Sequence, residues 1–149
     1  GMGTFEVNVL DLKRTATEKL VSLFRHSLAD DFISELRAKI RHFYDLYFLW
    51  QDVECKRYLQ SEEFKDDFQK LFLEDQERFK EPDGWQNRLL CESPLFANLN
   101  TVWVMTAQSV CISDHTRSDY TVSNEQTSKM TIARESLLAL CPEIQQLVN

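Results

Sequence analysis

Glycine and proline are scarce in this chain: there are three of each, and two of the glycines fall in the first three positions. An all-β fold needs a tight turn after every strand, and those turns draw on glycine and proline. So little punctuation over 149 residues favours long helices packed on one another. The fold expected is therefore mainly α, a bundle of about five helices with one N-terminal β-strand. The length suits one compact core, so residues 5–149 are read as a single helical domain. Residues 1–4 are set aside as a tag remnant or disordered start.

The strand is expected at Phe5-Glu6-Val7-Asn8-Val9-Leu10, where apolar and polar residues alternate. A lone strand needs a partner for its backbone, either a sheet or a second copy of the chain. Thr15-Ala16-Thr17-Glu18 has capping-box spacing and predicts a helix from about Ala16 to His26. Asp30 or Asp31 can cap the next helix, whose apolar face carries Leu36, Ile40, Phe43, Tyr47 and Trp50. A short helix over Val53–Leu59 follows. Ser61 opens another through Phe64, Phe68, Leu71, Phe72 and Phe79, which stops at Pro82-Asp83-Gly84. Trp85–Phe96 reads as irregular, and Leu99–Val110 as helical. Ser113–Ser128 reads as a loop. Leu137, Leu140, Ile144 and Leu147 mark a last helical stripe, bent at Pro142.

Charge is unevenly spread. The formal net charge is −7, which opposes general binding to phosphate backbones. Yet Lys13–His42 holds seven basic residues against four acidic ones, a local +3. No apolar run is long enough to span a bilayer, and no leader pattern opens the chain. Cys55, Cys91, Cys111 and Cys141 are widely scattered, which reads as reduced thiols in a cytoplasmic protein.

Several chemistries have no foothold in the motifs. His26, His42 and His115 are too far apart in sequence to announce a metal site. No glycine-rich phosphate loop and no Asp-x-Asp pair occurs. The adjacent pairs Asp30-Asp31 and Asp66-Asp67 diverge on a helix, so they suit caps and solvated faces.

Two short segments remain: Arg14-Thr15-Ala16-Thr17-Glu18-Lys19-Leu20 and Arg41-His42-Phe43-Tyr44-Asp45-Leu46-Tyr47. In their order and separation they resemble the second half of the AbiEii/AbiGii nucleotidyltransferases of bacterial toxin–antitoxin and phage-defence systems. The resemblance implies that Lys19 and Asp45 are catalytic positions, with Lys19 on triphosphate oxygens. Arg14 and Arg41 would add phosphate-binding charge. A lysine suits phosphate as a point charge, and Arg41 and Asp45 stand four apart on one helix face. The residues equally allow a structural salt bridge joining two helices. The family's Gly-Ser motif and metal-binding aspartates have no counterpart in this sequence.

The resemblance therefore implies the C-terminal helical portion of such an enzyme, truncated or one half of a split protein. Magnesium and a nucleoside triphosphate would bind only beside a complementing catalytic half, and the chain alone needs no cofactor. Its partners would be that half or an antitoxin protein, with an RNA acceptor only in the complete enzyme and no membrane. The alternative is a non-catalytic interaction module, possibly a homodimer joined through the Phe5–Leu10 strands.

Overall fold

The computed structural model describes residues 9–102, 104–105, 134–135 and 137–138, with side chains from Leu12 onward. Among these residues the chain is mainly α, as its composition leads one to expect. The elements are α1 (Val9–Ser27), α2 (Phe32–Ala38), α3 (Ile40–Gln51), α4 (Val53–Leu59), α5 (Glu62–Arg78) and α6 (Pro94–Ala97). Two 3-10 turns, Trp85–Asn87 and Leu90–Glu92, lie between α5 and α6. Residues 99–102 and 104–105 are helical too, as are 134–135 and 137–138.

The central element is α1, against which α2, α3, α4 and α5 all pack. Its buried stripe runs Ala16, Leu20, Leu23 and Phe24, continued past the helix end by Leu28, with Leu12 partly buried one turn earlier. Those three- and four-residue steps keep one face toward the core. On α5 the matching stripe is Phe64, Phe68, Leu71 and Phe72. Aromatic rings link these helices edge to face: Phe24 meets Phe68 at 5.6 Å between centroids, and Phe72 meets Trp85 at 5.7 Å. Leu137 is buried in the same core, so part of the expected last stripe joins it.

Two sequence expectations at the N-terminus need correction. The strand expected over Phe5–Leu10 does not run its full length, because Val9 and Leu10 form the first turn of α1. Residues 5–8 lie outside the described residues, and the pairing of two copies through this strand loses its basis at 9 and 10. The alternation there coincides with a helical stripe that Leu12 carries back from Ala16, and the longer pattern wins. The capping box at Thr15 is also wrong, since Thr15 stands inside α1. The Glu18 carboxylate that would complete the box instead accepts from Arg14 Nε at 2.7 Å. The Thr17 hydroxyl donates to the Lys13 carbonyl at 2.9 Å, a bond only a continuing helix offers.

Further along, the helix read through Leu36 to Trp50 divides at Lys39 into α2 and α3. Lys39 leaves helical geometry at φ −107° and ψ 19°, and its N–H closes back on Leu36 and Arg37. The division turns α3 so that Phe43, Leu46 and Leu49 face the core, while Tyr47 and Trp50 are only partly buried. Other ends follow their local chemistry. The side chains of Asp31, Asp52 and Ser61 cap α2, α4 and α5 by accepting from backbone N–H groups three positions on. Helix α5 ends at Arg78, one turn before Pro82-Asp83-Gly84, and Gly84 takes the left-handed φ of +83°. The irregular stretch expected over Trp85–Phe96 holds the two 3-10 turns and the start of α6. The remainder of the expected Leu99–Val110 helix, the Ser113–Ser128 loop and the bend at Pro142 lie outside the described residues.

Candidate functional site

Lys19 stands on the flank of α1 that faces α3, one position before the buried Leu20. Asp45 stands on α3, one position before the buried Leu46. Packing of those two leucines brings their neighbours together: Lys19 Nζ lies 2.8 Å from Asp45 Oδ2, across 26 residues of sequence. Both side chains keep solvent access, 22% for Lys19 and 38% for Asp45. An ion pair so placed contributes little to stability, about 0–1 kcal/mol.

His42 joins this pair. It precedes Asp45 by three positions on α3, so the two share a face. Its pKa is pushed down to about 4, first by burial and then by the charges of Lys19 and Lys39, with Asp45 opposing. The imidazole therefore stays neutral at physiological pH. Around it two lysines face one aspartate, so the local field favours an incoming anion.

The other two residues implied by the family resemblance stand apart from this pair in different ways. Arg41 is exposed on α3, one turn before Asp45, and Asp45 is held by Lys19 rather than by Arg41. Arg14 lies five residues before Lys19, about 140° around α1, and so faces the opposite flank. There it pairs with Glu18, a bond that raises its pKa. It lines a cleft of about 270 Å³ between α1, α4 and α5. Inside that cleft the Tyr58 hydroxyl donates to Asp67 Oδ2 at 2.7 Å and stands 2.9 Å from Thr17 Oγ1. Burial raises the Tyr58 pKa, so the ring remains a neutral donor. This network ties three helices and escaped the sequence reading, because its members lie 9 and 41 residues apart.

A metal site is not formed by the described residues. No three His, Cys, Asp or Glu side chains gather there in a way that could hold an ion. The carboxylates nearest in kind, Asp66 and Asp67, diverge as expected: Asp67 takes the Tyr58 bond and lines the cleft, and Asp66 does neither. Cys55 is buried as a free thiol, with its pKa raised to about 11 by burial, and Cys91 is free and exposed. Burial holds Cys55 as the unreactive thiol, since the reactive form of cysteine is the thiolate.

A family model described as "Nucleotidyl transferase AbiEii toxin, Type IV TA system" matches residues 2–120, which include α1 through α6 and all four residues above. The chain belongs to the AbiEii nucleotidyltransferase toxin family. No curated protein and no solved structure matches it significantly. Within this AbiEii-family chain, both sequence motifs fall on the two helices that bring Lys19 to Asp45. The wider arrangement differs from a single cluster of four: Lys19, Asp45, His42 and the exposed Arg41 occupy the α1–α3 side, and Arg14 belongs to the α5 side. His42 and Lys39 are the residues sequence reasoning passed over. The spacing Lys39, His42, Asp45 keeps the three to one side of α3, but the histidines' wide separation in sequence spoke only against a metal site. No helix among the described residues is long and apolar enough to cross a membrane.

Proposed function

We propose that the chain is the helical, phosphate-contacting portion of a toxin–antitoxin nucleotidyltransferase. Lys19 contacts triphosphate oxygens and Asp45 is the acidic partner that holds Lys19 in place or accepts a proton. The observation that carries this reading is the 2.8 Å Lys19–Asp45 bridge, which is partly exposed and set in a local excess of positive charge. A pair buried in the core would speak for a structural strut. A pair open to solvent and beside a neutral imidazole suits a ligand that arrives and leaves.

Nucleotidyl transfer also calls for clustered carboxylates to hold magnesium, which would offset the charge that develops on the phosphates. The described residues do not supply that cluster, so no step is assigned to a metal here. In this reading the carboxylates come from a complementing half of the enzyme, and an antitoxin is the regulatory partner. The acceptor in the complete enzyme is RNA or protein. Arg41 lies beside the bridge and adds phosphate charge. Arg14 serves the α5 side instead.

The test is transfer of label from an α-labelled nucleoside triphosphate, with magnesium, to RNA or protein in cells carrying the toxin and its genomic neighbours. Lys19→Met and Asp45→Asn should each abolish labelling while the variants accumulate as folded protein. Labelling by either variant at the unsubstituted level would refute the assignment.

A further inference from the structure

Phe48 is the most exposed aromatic ring among the described residues, with 59% of its surface open. By contrast Phe24, Phe43, Phe64, Phe68 and Phe72 are all buried. Its position on α3 is three residues after Asp45 and seven after Arg41, so the three share one face of the helix. Helical side chains lean toward the N-terminus, which carries the Phe48 ring back over the turn that bears Asp45. Tyr47 braces the ring from one side at 5.1 Å between centroids and a tilt of 50°. The rest of the ring is open, on the face of α3 that carries Asp45.

We infer that Phe48 is the base-stacking platform of the Lys19–Asp45 site, the surface on which the nucleobase of a nucleoside triphosphate rests while Lys19 meets its phosphates. This rests on the nucleotidyltransferase reading given above and specifies its substrate contacts. A nucleobase offers a flat π-face to any aromatic ring, and such stacking contributes about 1–3 kcal/mol per base. The neighbourhood of Phe48 fits both ends of one ligand, with an apolar ring for the base and ammonium and guanidinium groups for the phosphates. Asp45 and Phe48 are separated by about 4.5 Å along the helix axis, a spacing that a single ribose can bridge. Because every base has a π-face, Phe48 sets affinity and leaves base identity to other contacts.

Calorimetric titration with two probes at millimolar concentration, ATP and inorganic tripolyphosphate, both with magnesium, isolates the role of the ring. That concentration is needed because the Lys19 half of the site is expected to bind triphosphate weakly without its complementing half. Phe48→Ala should weaken ATP binding about tenfold and leave tripolyphosphate binding unchanged. Phe48→Trp should restore ATP binding to the unsubstituted level or better, which a merely structural role of the phenylalanine would not produce. Lys19→Ala should weaken both probes. If Lys19→Ala weakens both probes and Phe48→Ala alters neither, the stacking role is overturned and the phosphate site stands. If Phe48→Ala weakens both probes equally, the ring supports the fold of the site and the stacking role is again overturned. If neither probe binds the unsubstituted chain, or Lys19→Ala alters neither, the phosphate site itself fails and Phe48 with it.

Discussion

At the scale of single residues, stability and function separate most clearly at Lys19 and Asp45. Their side chains are too open for the bridge to matter much to folding, so Lys19→Met should cost no more than about 1 kcal/mol in denaturant unfolding. Trp85 is the opposite case. It is fully buried, meets Phe72 edge to face and donates from Nε1 to the Phe79 carbonyl at 2.8 Å. Trp85→Ala should therefore cost about 3–5 kcal/mol in the same assay, with a retained surface charge pattern. A cost under 1 kcal/mol would contradict its place in the core.

His42 gives the molecule a pH dependence with a definite sign. Its folded pKa of about 4 lies below the ordinary 6.5, so the folded state resists protonation where the unfolded chain accepts it. The contribution is fully present above pH 6.5 and is lost as the pH falls toward 4. His26 is depressed in the same direction, again by burial first. Because His42 is only partly buried, its share is on the order of 1 kcal/mol after solvent screening. Unfolding followed from pH 7 to 4.5 should show a shallower decline in His42→Gln than in the unsubstituted chain. Equal slopes would remove His42 from the account. None of this was legible from His42 alone, because its environment is made first by burial and then by the charges of Lys19 and Lys39.

At the scale of elements, two polar caps were legible in the sequence, Asp31 and Ser61. Each accepts the backbone bond that a cap residue exists to accept, as Asp52 also does. Ser61 does so while its hydroxyl also donates to the Tyr58 carbonyl at 2.5 Å, joining α4 to α5. Ser61→Ala should cost about 1 kcal/mol, and amide exchange should quicken in the first turn of α5. The apolar stripe of α5 was read correctly from Phe64 to Phe72, but Phe79 stands past the helix end and is 39% exposed. The stripe of α3 was read across a break. Sequence spacing could not register the turn at Lys39, since Leu36 and Ile40 keep helical steps on either side of it. Thr15 misled for a related reason: a hydroxyl three positions before a glutamate is a cap only if nothing apolar extends the helix behind it, and here Leu12 does.

At the scale of the whole molecule, α1 organises both the core and the candidate site. One face carries Ala16, Leu20, Leu23 and Phe24 into the core, and its two flanks carry Lys19 toward α3 and Arg14 toward α5. The mainly helical fold was legible because so few residues could make turns. The meeting of Lys19 with Asp45 was foreseeable only from family resemblance, since 26 residues and two intervening helix ends separate them. Separation of Arg14 from that pair was not foreseeable from motif order, although helical geometry gives it once α1 is continuous. The AbiEii family match covers both motif-bearing helices, and the core between those helices does not depend on the charged pair.

That independence is the central claim, and ligand-induced thermal stabilisation tests it most directly. Melting of the unsubstituted chain and of Lys19→Ala would be compared with and without millimolar nucleoside triphosphate and magnesium. The account predicts nearly equal melting temperatures without ligand, a rise on adding ligand to the unsubstituted chain, and loss of that rise in the variant. A variant that melts many degrees lower without ligand, beside an unsubstituted chain that ligand fails to stabilise, would make the bridge a structural strut and contradict the account.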